Sequence, residues 1–369
     1  MIKVNQLTSG RLAKAKAGYT TRSVDVNAIA TILTGDIQPK SGDLVLVRVD
    51  SIGQHERIDQ VNGRKAIVFV GDELVLCYGN RYAPDQFEAE IPSDLSPCHL
   101  AAAGGIAARV LSQHAKVKLP TAVTPIGLLG DRQGKRLNLA DWALPATNYI
   151  GQRPSTIAVV GTSMNAGKTT TAAHLINGLA NSGLKVGAAK ITGTGAGNDT
   201  WLMQDAGASF VLDFTCVGFP STYRATPKQV QEIFITLTNH LAAQSVDVIV
   251  LEIADGLFQE ETSTLVSSQI FRQTVDGVLF AAGGSLGAAA GVEWLQKQKL
   301  PIVGISGLVT ASPLAAREVL QITSLPVLDL QLLRTEAINI LASAKKIESL
   351  PLVFSSSLSV PPTVLTAQD

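Results

Sequence analysis

Apolar positions along the chain fall into two different rhythms. In residues 42–50 and 65–78 they form runs rich in β-branched residues, broken by turn residues at 51–53, 62–63 and 71–72. Such runs predict short strands joined by tight turns, a small barrel of the SH3 or OB kind of about 50 residues. Residues 97–114 read as a helix interrupted at Gly104 and Gly105. From 119 to 154, Pro, Gly and polar residues recur without sustained periodicity, as in a structured connector.

After residue 155 short apolar runs alternate with helical patterns. The runs at 157–160, 185–190, 246–253, 277–281, 301–305 and 326–329 predict buried strands. Patterns at 168–182, 227–243, 285–297 and 313–322 predict the helices between them. Alternation of this kind predicts an α/β domain with a mostly parallel, doubly wound sheet and right-handed crossovers. The predicted organisation is an N-terminal β-rich domain with a helix (1–118), a connector (119–154), the α/β domain (155–345) and an extended C-terminal tail (346–369).

Charge narrows the function classes. Lys plus Arg and Asp plus Glu both number 30, and charged residues are only 16% of the chain. A neutral, charge-poor chain lacks the basic stripe that nucleic acid requires, so no nucleic-acid partner is expected. The most membrane-like stretch, 278–292, is too short to span and is bracketed by Asp276 and Glu293, so no membrane partner is expected either. Cys77, Cys98 and Cys216 are scattered without paired spacing, and no apolar leader is apparent. Both features predict a cytoplasmic protein. The Cys98–His99 pair has no second pair at ligand spacing, and Gly283–Gly287 lacks the spacing of a dinucleotide fingerprint.

The strongest chemical signal begins where the strand at 157–160 runs into Gly161-Thr162-Ser163-Met164-Asn165-Ala166-Gly167-Lys168-Thr169-Thr170 and then into a helical pattern. A polyphosphate is held by backbone N–H groups wrapped round it at a helix N-terminus, and Gly167 allows that close approach. Lys168 supplies a mobile positive charge for the β and γ phosphates. Thr169 offers a hydroxyl to Mg²⁺, and Thr170 reaches the α phosphate. Thr162 stands where the strict G-x-x-x-x-G-K-[ST] pattern has glycine, and the nearest glycine is one residue earlier.

Two further segments extend the signal. Lys190 closes an apolar strand, at the edge where sheets of this kind bind ligands, and is followed by Thr194 and Asp199. Glu252 ends the apolar run 246–253, and a carboxylate there is costly to bury unless a metal or partner neutralises it. Asp255 follows it, able to assist a metal, position water or cap a turn. Residues 259–262 read as a solvated acidic loop. Residues 78–85, with two tyrosines and Arg81, read as a recognition loop or an ordinary barrel turn.

The sequence G-T-x-x-x-x-G-K-T resembles dethiobiotin synthetase, within the P-loop NTPase class that also holds the MinD/ParA ATPases and cobyrinate amidotransferases. The resemblance runs over about residues 157–333. It implies ATP and Mg²⁺ as cofactors, with Thr169, Asp199 and Glu252 as metal ligands. Lys168 and Lys190 would be catalytic. Gly161, Thr162, Ser163, Asn165, Ala166, Gly167, Lys168, Thr169, Thr170 and Thr194 would bind nucleotide or substrate. It further implies an enzyme, ligase- or kinase-like, that phosphorylates or activates a small-molecule substrate, with two sites at a homodimer interface. At 305–308 the base-reading asparagine of that class is missing, which leaves ATP against GTP open. The alternative is a nucleotide-gated switch or maturation NTPase acting on a protein partner through the N-terminal domain.

Overall fold

The computed structural model describes residues 1–344; the expectation for the tail at 346–369 lies outside the described residues. Twelve strands build the N-terminal half. They are β1 (Ile2–Gln6), β2 (Lys16–Ala17), β3 (Thr31–Gly35), β4 (Leu44–Ser51), β5 (Arg57–Asp59), β6 (Lys65–Ile67), β7 (Glu73–Tyr78), β8 (Arg81–Tyr82), β9 (Phe87–Glu90), β10 (Cys98–Ala102), β11 (Ile106–Gln113) and β12 (Thr121–Gly130). One short helix, α1 (Ser9–Lys14), accompanies them, capped by the Thr8 side chain. Ten of the strands form one sheet: eight follow the path β1-β3-β12-β4-β7-β11-β9-β8, β10 joins β11 and β12, and β2 joins β7, while β5 and β6 pair separately.

The sheet buries apolar residues on both faces. Val45, Val47, Leu74 and Leu76 belong to one cluster, and Leu44, Leu46, Val75 and Cys77 to the other. That explains why the runs read as unbroken rather than alternating. This half is larger than the small barrel expected from the strands at 42–78. The helix expected at 97–114 is instead the antiparallel pair β10 and β11, with Gly104 and Gly105 in its turn and Gly105 at φ 104°. Alanine suits helix, but here the small side chains fit a sheet interior, and tertiary packing overrides propensity. The connector also begins later than 119, because β12 pairs with β3, β4 and β10 inside this sheet.

The second half is a six-stranded parallel sheet: β13 (Ser155–Gly161), β14 (Val186–Lys190), β15 (Phe210–Asp213), β16 (Val248–Glu252), β17 (Gly277–Ala281) and β18 (Ile302–Ser306), in the order β15-β14-β16-β13-β17-β18. Its helices are α2 (Lys168–Asn181), α3 (Gly197–Asp205), α4 (Pro227–Ala242), α5 (Glu260–Val266), α6 (Gln269–Thr274), α7 (Ser285–Lys297), α8 (Pro313–Thr323), α9 (Leu330–Thr335) and α10 (Ala337–Ala342). One core cluster joins the sheet to α4, α6 and α7, and another joins it to α2 and α10. The run 326–329 is not a strand; Val327 makes only an isolated bridge to Ile305. The edge strand β15 was not expected, since its apolar run, Phe210 to Leu212, is only three residues long and is closed by Asp213. The acidic residues 259–262 are no solvated loop either. Gln259 caps α5, while Glu261 and Thr262 are buried.

Register fixes what meets at the carboxyl edge of the sheet. Lys190 pairs level with Glu252, Glu252 with Val159, and Gly161 with Ala281. The crevice beside β13 is therefore lined by the ends of neighbouring strands, where open α/β sheets bind ligands.

Candidate nucleotide site

Strand β13 delivers Gly161 into a loop that closes on α2. Asn165 takes φ 62° and Gly167 φ 98°, and helix α2 starts at Lys168. Glycine is required at 167 on two counts: the positive φ, and the Cα of Gly307, which would lie 2.9 Å from an added Cβ. At Gly161 a Cβ would meet Lys168 Cγ at 2.7 Å and Ala281 O at 2.9 Å, so this early glycine makes room for the lysine stem. The segment at 305–308 supports the loop, with Leu308 N donating to Ala166 O at 3.0 Å.

Lys168 is buried and donates from Nζ to Ser163 O at 2.7 Å, turned back over its own loop. Burial pulls its ammonium below the usual lysine range, against the opposing pull of Glu252 and Asp255. Thr169 Oγ1 donates to Glu252 Oε1 at 2.8 Å and stands 3.5 Å from Asp199 Oδ1. The second Asp199 oxygen pairs with Lys190 Nζ. Burial alone would lower Lys190, but Asp199 and Glu252 outweigh it and hold the ammonium above its ordinary value. Glu252 is 2% exposed, and its Oε2 has no hydrogen-bond partner. Burial raises its carboxyl above the usual range, despite Lys190 and Lys168. Asp255 is raised for the same reason.

An orphaned buried carboxylate oxygen beside a threonine hydroxyl and a second carboxylate suits a hard cation. Mg²⁺ takes few protein oxygens and completes its octahedron with phosphate and water. No cluster of three or more His, Cys, Asp or Glu side chains among the described residues forms a metal cage. Two carboxylates and a hydroxyl are the smaller set that a nucleotide-borne cation needs.

These groups line a cavity of about 510 Å³. Of the residues expected from sequence, Asn165, Gly167, Lys168, Thr169, Thr170, Lys190, Thr194, Asp199 and Glu252 line it together. Gly161, Thr162, Ser163 and Ala166 do not line it: Gly161 and Ala166 are buried in the loop, and Thr162 N bonds to Ala281 O. Asp199 lies in the first turn of α3 rather than capping it, since Ala196 is the N-cap.

The far wall comes from the N-terminal half: His55, Asp59, Arg81, Asp85 and Gln86. Asp85 Oδ2 accepts from Asn165 Nδ2 at 2.9 Å, joining the β8–β9 turn to the phosphate loop. The segment at 78–85 is therefore both a turn of the sheet and part of the cavity wall. Nothing in the spacing of His55 or Asp59 pointed to the site; strand pairing brings them there.

Strand, loop and helix together make the second half a nucleotide-binding P-loop domain. The model of the family described as MobB, Molybdopterin guanine dinucleotide synthesis protein B, matches residues 156–275, less than half of the chain. That family differs from the one the loop motif resembles, and the P-loop class is what the two have in common. No curated protein matches the chain. Among solved structures, the signal recognition particle receptor FtsY from Elizabethkingia anophelis is 17% identical, with a TM-score of 0.31 over 57% of this chain and 65% of that one. Cell division protein FtsY from Thermotoga maritima is 15% identical, with a TM-score of 0.37 over 56% of this chain and 74% of that one. Signal Recognition Particle 54 kDa protein from Aeropyrum pernix K1, in complex with GDP, is 21% identical, with a TM-score of 0.35 over 55% of this chain and 49% of that one. The chain thus spans less than two-thirds of the length of the first of these structures. No helix among the described residues is long and apolar enough to cross a membrane.

Proposed function

We propose that the protein is a Mg²⁺-dependent enzyme that transfers the γ-phosphoryl group of a purine nucleoside triphosphate, ATP in the first instance, to a small molecule held between its two halves. The observation that carries this is the cavity itself: Lys168, Lys190, Thr169, Asp199 and Glu252 converge on one side, and N-terminal residues wall off the other. A simple hydrolase needs only water access; the wall that the N-terminal half sets opposite the phosphate loop offers groups to hold a second reactant.

In this reading the loop N–H groups and Lys168 hold the β and γ phosphates. Thr169, Asp199 and Glu252 would hold Mg²⁺, which when bound would supply positive charge against the phosphate oxygens. An oxygen or nitrogen of the substrate forms a bond to the γ phosphorus, the bond to the bridging oxygen breaks, and the nucleoside diphosphate leaves. Lys190 stabilises the equatorial oxygens in that step. Asp255 lines the cavity, with its carboxyl raised above the usual range by burial, and is placed to take the nucleophile's proton. Positioning and charge supply the catalysis, without a covalent protein intermediate.

The family match at 156–275 favours GTP as a second reading of the base, because its description names guanine dinucleotide synthesis. The alternative is a switch acting on a protein partner, in which the nucleotide state would reach the N-terminal half through Tyr19 Oη, 2.8 Å from Thr200 Oγ1 and next to Asp199. The test is a screen of ATP and GTP consumption against small metabolites, with Lys168→Ala as control. Fast turnover that depends on one metabolite supports the enzyme; slow turnover raised only by a protein supports the switch. Equal nucleotide affinity in wild type and Lys168→Ala would overturn the site.

A further inference from the structure

Arg81 is the odd charge in the cavity wall. It is 7% exposed and lines the cavity, yet no Asp or Glu of the described residues stands within ion-pair distance of it. Its hydrogen bonds go to neutral acceptors: Nη1 to His55 Nε2 at 3.0 Å and to Ala101 O, and Nη2 to Gln86 Oε1 at 2.8 Å. Nε has no partner at all. Its position is held firmly, since Phe87 lies 5.9 Å away under the guanidinium and β8 pairs with β9.

A buried guanidinium without a counter-ion is expensive, because desolvation is not repaid by a nearby opposite charge. The cost is visible in the group itself: burial pulls Arg81 down to about 10, against the more distant Asp85 and Asp255. His55 does not relieve it. Burial and then Arg81 push that imidazole down to about 4, so it is neutral and brings no opposite charge to the arginine. Three neutral partners orient Arg81, its Nε is left unpaired, and its charge lies at the wall of the nucleotide cavity. Asp85 Oδ1, also without a partner, lies in the same wall.

We infer that Arg81 is the anchor for an anionic group, carboxylate or phosphate, of the second substrate, so that the small molecule accepted by this cavity is an acid or a phosphorylated compound. This rests on the phosphoryl-transfer reading above and narrows its substrate class. Arginine suits the task because its planar fork meets both anions with charge-assisted hydrogen bonds. The N-terminal half then selects the substrate, while the P-loop half supplies the nucleotide.

The test uses the full chain in two steps. First, a non-hydrolysable ATP or GTP analogue with Mg²⁺ is titrated by calorimetry into wild type, Arg81→Gln and Arg81→Lys. Second, each loaded protein is titrated with malonate and, separately, with inorganic phosphate; the two arms distinguish a carboxylate from a phosphoryl anchor. Expected are nucleotide affinities equal to within about twofold, and anion affinity at least about tenfold weaker in Arg81→Gln, with Arg81→Lys between. Should Arg81→Gln fail to fold by circular dichroism, Arg81→Lys is read alone, and weaker anion binding is the expected result. Loaded wild type that takes up neither anion, or variants that bind both anions as wild type does, would overturn the proposal. So would a tenfold loss of analogue affinity with anion binding intact, which would give Arg81 to the γ phosphate instead. Failure of the nucleotide reading shows separately, as no analogue binding in the first step; the anion arms are then read on unloaded Lys168→Ala protein.

Discussion

The two halves are joined by a buried charge pair whose removal has a calculable cost. Asp213, at the end of β15, is 1% exposed and accepts from Arg22 Nη2 at 2.8 Å, Tyr19 Oη at 2.7 Å and Thr215 N at 2.9 Å. Burial would raise its carboxyl, but Arg22 and the hydroxyls of Thr215 and Tyr19 outweigh that and hold it below the usual range. Arg22 also lies 4.1 Å from the centre of the Tyr19 ring. Replacing Arg22 by Leu leaves the carboxylate buried with its neutral donors only. Breaking a buried pair from one side costs about 3–5 kcal/mol, and the surviving donors place this case near the lower end, about 3 kcal/mol. Equilibrium urea unfolding measures it, followed by far-ultraviolet circular dichroism and by Trp201 fluorescence. Trp201 is a local reporter, since its ring stands edge-on to Tyr19 with centroids 6.1 Å apart. Adding Asp213→Asn to Arg22→Leu removes the stranded charge, so the double variant should recover part of the loss. A loss below about 1 kcal/mol, or strictly additive single variants, would refute the reasoning, because a buried charge pair is by nature non-additive.

Three other outcomes are expected. Glu252→Gln should lower Mg²⁺-dependent turnover by about a hundredfold, while leaving the metal-free protein as stable as wild type or more so, since its Oε2 is an orphaned buried carboxylate oxygen; metal titration of turnover and urea unfolding in chelator check the two halves. His55, held neutral with its value near 4, contributes stability that is complete above its unfolded value near 6.5 and drains away as pH falls towards 4. The loss at pH 4 and below is about 3 kcal/mol, and His55→Gln should flatten the pH 4–6.5 limb of the unfolding curve. Gly178→Ala should cost about 1–2 kcal/mol despite better helix propensity, because the new Cβ would meet Arg334 O at 2.4 Å; a thermal melt above wild type would contradict that.

The sequence by itself determined the P-loop half to a large extent. Its strands are buried on both faces, so 157–160, 185–190, 246–253 and 277–281 stand out as continuous apolar runs, and the Gly167-Lys168-Thr169 segment names the phosphate loop. Lys190 and Glu252 were legible for a related reason: a charge closing an apolar run is costly without a task. Strand β15 was hidden because its apolar run, Phe210 to Leu212, is only three residues long. In the N-terminal half, the alanine-rich hairpin at 98–113 was misread as helix, since local propensity decides only where packing does not. What tertiary structure alone decided is the composition of the second wall. His55 and Asp59 lie more than a hundred residues from Lys168 in sequence and carry no motif, and Arg81 was marked only as part of the segment at 78–85, a recognition loop or an ordinary turn. They meet it because β8 pairs with β9, and because the β10–β11 turn packs against Gly195 and Ala196. Motifs record chemistry that one local segment completes; a cavity closed between two sheets is written only in long-range pairing, where no short stretch of sequence carries the signal.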